Sequence, residues 1–332
     1  MDHTLGDGQQ RCSFIAVIGA PNAGKSTLVN GMVGAKVSIV THKVQTTRAR
    51  VRGVVMADVE GDAVGTDHPS KAQLVFIDTP GIFRPRRRLD RAMVSAAWDG
   101  LEGADETLVI VDAAVYDGPA STPATKRARA DTDRVLDELK ERNAKERNAT
   151  PILVLNKVDL VERSRLLKLA AEMNDRLGFE ETFFIAAAND DGVQELKMFL
   201  AARAPIGPWM YPEDQLSDMS DRLLAAEVTR EKLFLRLHDE LPYESTVETT
   251  DWKRTKKGEL RLEQTIFVSR ESHKPIVLGK AGQTIKTVGA SSREELEKLL
   301  GEKVHLFLFV KVRENWSDEN ARLRELGLEP VA

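Results

Sequence analysis

Cysteine is almost absent from this sequence. Cys12 stands alone among 332 residues, so neither an intramolecular disulfide nor a thiolate cluster for zinc can be built, and a reducing, cytoplasmic compartment is expected. Long apolar runs are missing too: no stretch approaches the 18 or so residues of a membrane span, and residues 1–11 are polar, without the apolar core of a secretory signal. An excess of positive charge is equally lacking. Lys and Arg number 48 against 52 Asp and Glu, a net charge of −4, which excludes a polycation and confines any nucleic-acid surface to a local patch. Aromatic residues make up only 5%, and no aromatic run marks a base-stacking surface. The chain contains no internal repeat and no low-complexity tract. What is present is ordinary for a folding chain, 42% hydrophobic and 30% charged residues, and at about 150 residues per domain the length predicts two domains.

The first two-thirds repeats one rhythm, a short apolar run, a polar or glycine-bearing turn, then a longer helical stretch. The runs cover 14–18, 74–77, 108–111, 152–155 and 182–185. Continuous apolarity, without period-two alternation, is the mark of strands covered on both faces, so the pattern predicts a mostly parallel, doubly wound α/β sheet with ligands at the strands' C-terminal ends. A further strand is expected at 51–59, and residues 60–70 read as an enlarged hairpin loop. Prolines at 205, 208 and 212 interrupt regular pairing, which sets the expected organisation: a first domain over 10–204, a linker over 205–215 and a smaller α+β domain over 216–325. There a helix is expected at 221–241, strands at 247–252 and 260–269, helices at 283–288 and 293–300, and a strand at 304–312.

Three strand-end motifs carry chemistry. Directly after the first apolar run comes Gly19-Ala20-Pro21-Asn22-Ala23-Gly24-Lys25-Ser26, followed by Thr27 and the apolar start of a helix. Glycines let such a loop close around a polyphosphate, backbone N–H groups of Asn22, Ala23, Gly24 and the helix start face its charge, Lys25 reaches the outer phosphates and Ser26 can ligate Mg²⁺. The second motif, Asp78-Thr79-Pro80-Gly81, places a carboxylate for the magnesium shell and an N–H at Gly81 for a γ-phosphate oxygen. The third, Asn156-Lys157-Val158-Asp159, selects the nucleotide. The Asp159 carboxylate can accept from guanine N1–H and N2, whereas adenine would turn an acceptor toward it, so GTP is favoured over ATP.

In this order the motifs resemble the translation-factor-like branch of the small GTPases, over about residues 14 to 202. The resemblance implies further roles. A threonine of the first switch should ligate Mg²⁺; Thr47 is favoured, with Thr46 as runner-up. The guanine-proximal Ser-Ala element corresponds to Ala186-Ala187, where the serine is absent and the Ala187 N–H is left to meet the guanine oxygen. Ile82 stands where Ras-like enzymes carry a water-orienting glutamine, and it has no polar atom, so intrinsic GTP hydrolysis to GDP should be slow, on the order of 10⁻³ per second or less. Asn22 is the expected ligand of a K⁺ beside the phosphates. The basic run Phe83-Arg84-Pro85-Arg86-Arg87-Arg88-Leu89-Asp90-Arg91 reads first as a solvated switch segment, since charge runs usually face water, with contact to RNA or anionic lipid as the alternative.

The second half contains Gly279-Lys280-Ala281-Gly282, a two-residue turn between helical segments, followed by Lys286. Such a turn lets a nucleic-acid backbone approach closely, while helix N–H groups and lysine supply attraction, the arrangement of a KH-type clamp for single-stranded RNA. Lys253, Arg254, Lys256, Lys257 and Lys274 are read as further phosphate contacts around it. A GTPase followed by a KH domain of the second topology resembles the Era family of ribosome-assembly GTPases across nearly the whole chain. That resemblance implies binding to the 3′ end of small-subunit (16S) rRNA, assistance in maturation of the 30S subunit and a peripheral association with the inner membrane; that GTP, by ordering the switches, controls how the KH domain is presented to RNA is a further expectation. The protein is expected to be a monomer that does not bind DNA. A second reading keeps the GTPase but gives the second domain a protein or membrane partner.

Overall fold

The computed structural model describes residues 10–41, 43, 46–48, 50–59, 70–146, 150–238, 241–314, 316–325 and 327–329. The chain divides into two compact units, Met1–Ser38 with Thr47–Asp218, and Ile39–Thr46 with Met219–Ala332.

In the first unit the strands are β1 (Arg11–Gly19), β2 (Val51–Asp58), β3 (Lys71–Asp78), β4 (Glu106–Asp112), β5 (Ile152–Asn156) and β6 (Thr182–Ile185). The helices are α1 (Lys25–Val33), α2 (Arg88–Asp99), α3 (Ala113–Tyr116), α4 (Pro123–Glu146), α5 (Arg163–Leu177) and α6 (Val193–Arg203). The sheet runs β2-β3-β1-β4-β5-β6, with β2 antiparallel to β3 and every other pair parallel. This is the doubly wound sheet that the apolar runs predicted. One face packs Leu28, Val29 and Met32 of α1 and Leu196 and Leu200 of α6 on Ile15, Val17, Leu74 and Ile110. The other packs Trp98 of α2, Leu136 and Leu139 of α4 and Leu169 of α5 on Ile18, Val109, Val111 and Leu155. Both faces are therefore dry, and polar groups are left to the ends of the strands.

The loop expected at 60–70 lies almost wholly outside the described residues; the strands it joins are antiparallel as expected. The segment 205–215 is tied down along its length. The Cys12 N–H donates to the Pro205 carbonyl (3.0 Å) and Gly207 N–H to Gln10 (3.0 Å). Gln73 brackets Tyr211, accepting from its N–H (3.0 Å) and donating to its carbonyl (2.8 Å). Prolines that prevent regular pairing here do not prevent individual hydrogen bonds.

The second unit contains α7 (Asp221–Arg236), β7 (Ser245–Arg254), β8 (Leu260–Val268), α8 (Lys274–Leu278), α9 (Gln283–Leu300), β9 (Val304–Val312) and α10 (Asn320–Glu325). Its sheet is β7-β8-β9, antiparallel then parallel. Leu233 and Leu237, with Val288 and Leu296 of α9, cover one face through Ile266, Val268, Leu260 and Leu262. Two helices expected at 283–288 and 293–300 are one continuous helix. Ser291, at their expected junction, turns its hydroxyl back onto the Thr287 carbonyl (2.9 Å), which satisfies it without breaking the helix. The helix expected to reach 241 stops at Arg236, with Pro242 in the turn that follows.

Candidate functional site

At the end of β1 the chain passes through Ala20, Pro21, Asn22 and Ala23 into α1. Asn22 (φ 63°) and Gly24 (φ 104°) are left-handed, a conformation that asparagine tolerates and glycine adopts freely. Gly24 is required on a second count, because a Cβ there would lie 2.0 Å from Nδ2 of Asn156. The close approach is used. Asn156, buried at the tip of β5, donates from Nδ2 to the Ala23 carbonyl (2.8 Å) and accepts at Oδ1 from the Ala187 N–H (3.0 Å). One side chain thus joins the phosphate loop, the third motif and the loop after β6.

Lys25 is buried, and its ammonium donates to the carbonyls of Gly19 (3.2 Å) and Ala20 (3.0 Å). Burial pushes its pKa down to about 8, against the pull of Asp78. Asp78, at the tip of β3, is fully buried, and neither carboxylate oxygen has a hydrogen-bond partner among the described residues. Burial raises its pKa, while Ser26, Lys25 and Ser38 draw it back. The Ser26 and Thr47 hydroxyls lie 2.8 Å apart. Two hydroxyls beside an orphaned carboxylate form an all-oxygen donor set of the kind that suits Mg²⁺, and the unsatisfied carboxylate is the observation that makes the fit. Thr46 belongs to the other unit; its hydroxyl is engaged by Thr41 (2.6 Å) and by the Lys43 carbonyl (2.8 Å). Thr27 lies in the first turn of α1.

After Asp78, Thr79 anchors the strand end by donating to Val17 (2.7 Å), and Gly81 packs so closely on Pro21 that a Cβ would meet it at 2.8 Å. Ile82 is fully buried in the core beneath and donates its N–H to Gly19 (3.1 Å). Its position is therefore apolar by packing as well as by composition. Arg84, Arg86 and Arg87 are exposed, and the N–H groups of Arg86 and Arg87 are taken by Asp90 of α2 (3.0 and 3.1 Å).

Lys157 is left-handed (φ 63°), and its ammonium spans the Asn22 carbonyl (2.9 Å) and the Asp112 carboxylate. Among the described residues the exposed Asp159 accepts one side-chain hydrogen bond, from Asn189 Nδ2 (3.4 Å). Ala187 departs from expectation. Its single N–H is spent on Asn156, so in this structure it links loops instead of offering a donor toward a base. Sequence reasoning missed Asp112 and Asn189. An acid at the tip of an apolar strand was a usable signal for the first. Asn189 stands 30 residues from its partner in a loop whose course no pattern reveals.

In the second unit, Gly279 (φ 74°), Ala281 (φ 51°) and Gly282 (φ 75°) form the left-handed turn between α8 and α9. A Cβ at Gly279 would stand 2.1 Å from the Thr284 hydroxyl. Lys280, Ala281 and Lys286 are exposed, and the turn ends at the N-terminus of an 18-residue helix, whose dipole attracts anions; the Gln283 N–H there already donates to the Lys280 carbonyl. Not all the expected cations stand here. Arg254 makes a two-pronged pair with Glu302 (2.6 and 3.0 Å), just beyond the C-terminal end of α9. At 1.5 Å per residue that helix is about 27 Å long, so Arg254 and its neighbours Lys253, Lys256 and Lys257 lie at the far end from the turn. Lys274 begins α8 and stays beside it.

Two family models match the chain, one described as a 50S ribosome-binding GTPase over residues 14–157 and one as a KH domain over residues 240–317. A GTPase Era of Afipia carboxidovorans is 53% identical over 320 residues, covering 96% of this chain and 94% of that protein. One of Bradyrhizobium diazoefficiens is likewise 53% identical over 320 residues, with the same coverage of both chains. Among solved structures, the Aquifex aeolicus Era variant Y63A bound to GDP·AlF4⁻ superposes with a TM-score of 0.81 at 33% identity, covering 96% of this chain and 99% of that one. An Era complex with MgGDPNP and nucleotides 1506–1542 of 16S ribosomal RNA gives 0.81 at 34% identity with the same coverage.

Proposed function

The chain belongs to the Era family of GTPases with a C-terminal KH domain, and from that premise we propose that it is a GTP-hydrolysing factor that binds 16S rRNA near its 3′ end and assists assembly of the 30S subunit. The observation that carries the proposal is the presence of two anion sites on one chain, a P-loop with a buried, unsatisfied Asp78 and a G-x-x-G turn heading a long helix.

In the first site the N–H groups from Asn22 to Thr27 and the α1 N-terminus take the phosphates, and Lys25 exchanges its two carbonyl partners for phosphate oxygens. Ser26, Thr47 and Asp78 would hold a magnesium ion, which would supply neutralising charge at the β- and γ-phosphates. Gly81 donates its N–H to the γ-phosphate and loses that bond on hydrolysis. Asp159 accepts from guanine N1–H and N2, with Asn156 and Lys157 bracing the loops around the base. Buried Ile82 supplies no polar atom to orient water, which keeps intrinsic turnover slow. Asn22 would be a ligand of a K⁺ that would supply positive charge beside the phosphates, so turnover is expected to be several-fold faster in K⁺ than in Na⁺. Equal steady-state rates in the two salts would remove that role.

In the second site Gly279, Lys280, Ala281, Gly282 and Lys286 clamp the backbone of a single strand. The test is a filter-binding titration of the full chain against a 16S 3′-end RNA and an unrelated RNA of equal length. The specific RNA should bind at least tenfold tighter, and Gly282→Asp should abolish that margin by placing a carboxylate where phosphate must come. Equal affinity for both RNAs would direct the second unit to a protein or membrane partner. Among the described residues no helix is long and apolar enough to cross a membrane.

A further inference from the structure

Beyond the two anion sites, the surroundings of Asp159 contain a detail that the base-recognition reading does not use. Asp159 lies in a short turn, Val158–Leu160, entered through the left-handed Lys157. Among the described residues its side chain has one polar partner, the amide of Asn189 at 3.4 Å. Ala186, Ala187 and Ala188 offer no side-chain donor.

The loop that presents Asn189 is closed on itself. Its own N–H donates to the Ala186 carbonyl (2.8 Å), and the Ala186 N–H donates to the Asp191 carbonyl (3.0 Å). The left-handed Asp190 (φ 56°) and Gly192 (φ 72°) complete the turn. The Ala187 N–H pins the same loop to Asn156. Asn189 therefore stands on a fixed platform, and its side chain reaches across to an otherwise unsupported carboxylate.

We propose that Asn189 is a positioning residue for guanine recognition, holding the Asp159 carboxylate in the rotamer that meets guanine N1–H and N2–H together. The inference rests on the reading of Asp159 as the base-recognition residue. The hydrogen-bond inventory permits all three contacts at once. An ionised carboxylate only accepts and has about four lone-pair sites, of which the base uses two and the asparagine amide a third. Because the acceptor is a carboxylate, the asparagine must present its NH₂ end. The amide is neutral, so it orients the charge without cancelling it. A bidentate contact gains from such preorganisation because a rotating carboxylate can keep one bond while losing the other. The N2 amino group is then the contact most sensitive to Asn189.

The test measures affinities of GDP, of IDP, which lacks the N2 amino group, and of XDP, which carries a C2 oxygen in its place, for the wild-type chain and for Asn189→Ala, Asn189→Gln, Asn189→Asp and Asp159→Asn. Asn189→Ala should lower the GDP-to-IDP affinity ratio about 3- to 10-fold with no change in thermal midpoint. Asn189→Gln, which keeps the amide, should retain most of the ratio, and Asn189→Asp should weaken GDP binding further because like charges then face each other. An unchanged ratio in Asn189→Ala, or an equal loss for both nucleotides, overturns the positioning role. The Asp159→Asn arm separates the two levels of inference. Asp159→Asn should shift preference toward xanthosine nucleotides, whose C2 oxygen suits an amide donor. If it does so while Asn189→Ala is silent, the Asn189 role alone falls. If it leaves guanine preference untouched, the base-recognition reading falls with it.

Discussion

Lys25 illustrates what burial does to one charged group before its ligand arrives. With its pKa pushed from 10.5 down to about 8, folding penalises the protonated form. That penalty is complete below pH 8, shrinks as pH rises, and disappears above 10.5, because the unfolded chain binds the proton more readily throughout that interval. The nucleotide-free protein should accordingly gain stability between pH 8 and pH 10 relative to Lys25→Met, which removes the charge. At pH 7 the variant should be the more stable of the two, by up to about 3 kcal/mol, while losing nucleotide affinity. Urea denaturation of both chains at pH 7 and pH 9.5 checks this, and parallel pH profiles would refute it. A triphosphate reverses the balance by giving the ammonium anionic partners, and a site of this kind sacrifices stability for affinity. Asp78 has the same logic with opposite charge: its unsatisfied oxygens cost stability until a cation takes them.

Among the elements, and on the RNA-binding reading proposed above, α9 decides which cations can serve the clamp. Its N-terminus carries the G-x-x-G turn and its C-terminal end faces Arg254 and Glu302. Lysines near the turn, Lys274, Lys280 and Lys286, can each neutralise a phosphate of the clamped segment, whereas those at the far end cannot reach it. Each phosphate neutralised on a single strand contributes about −0.7 to the slope of log affinity against log salt. A short RNA confined to the turn should therefore give a slope of about −2. Lys280→Ala should reduce its magnitude by about 0.7, and Lys256→Ala should leave it unchanged. Fluorescence anisotropy across a salt series reads both, and an equal effect of the two substitutions would show that the strand contacts the whole length of the helix. Within the first unit, Asn156 holds the P-loop and the post-β6 loop in one hydrogen-bonded joint.

At the scale of the whole molecule, much of the architecture was legible in sequence. Apolar runs buried on both faces announced the parallel sheet, and the motifs at Gly19–Ser26, Asp78–Gly81 and Asn156–Asp159 each sit at the C-terminal end of a strand, where a doubly wound sheet places ligands. These features are readable because they are local: a loop that wraps phosphates needs its glycines and lysine within one turn, and strand periodicity repeats every few residues. Long-range geometry was not readable. Sequence proximity grouped Lys253 to Lys257 with the clamp, but their strand end pairs beyond the opposite end of α9. The Ala187 N–H was assigned to the base, but the folded loop gives it to Asn156. No pattern linked Asn189 to Asp159, because only the packing of two separate strand ends brings them together. The chain by itself determined which chemical groups are available and on which kind of element each is carried. Tertiary structure decided which of them share a site, because hydrogen bonds are satisfied over about 3 Å in space without regard to how many residues lie between the partners.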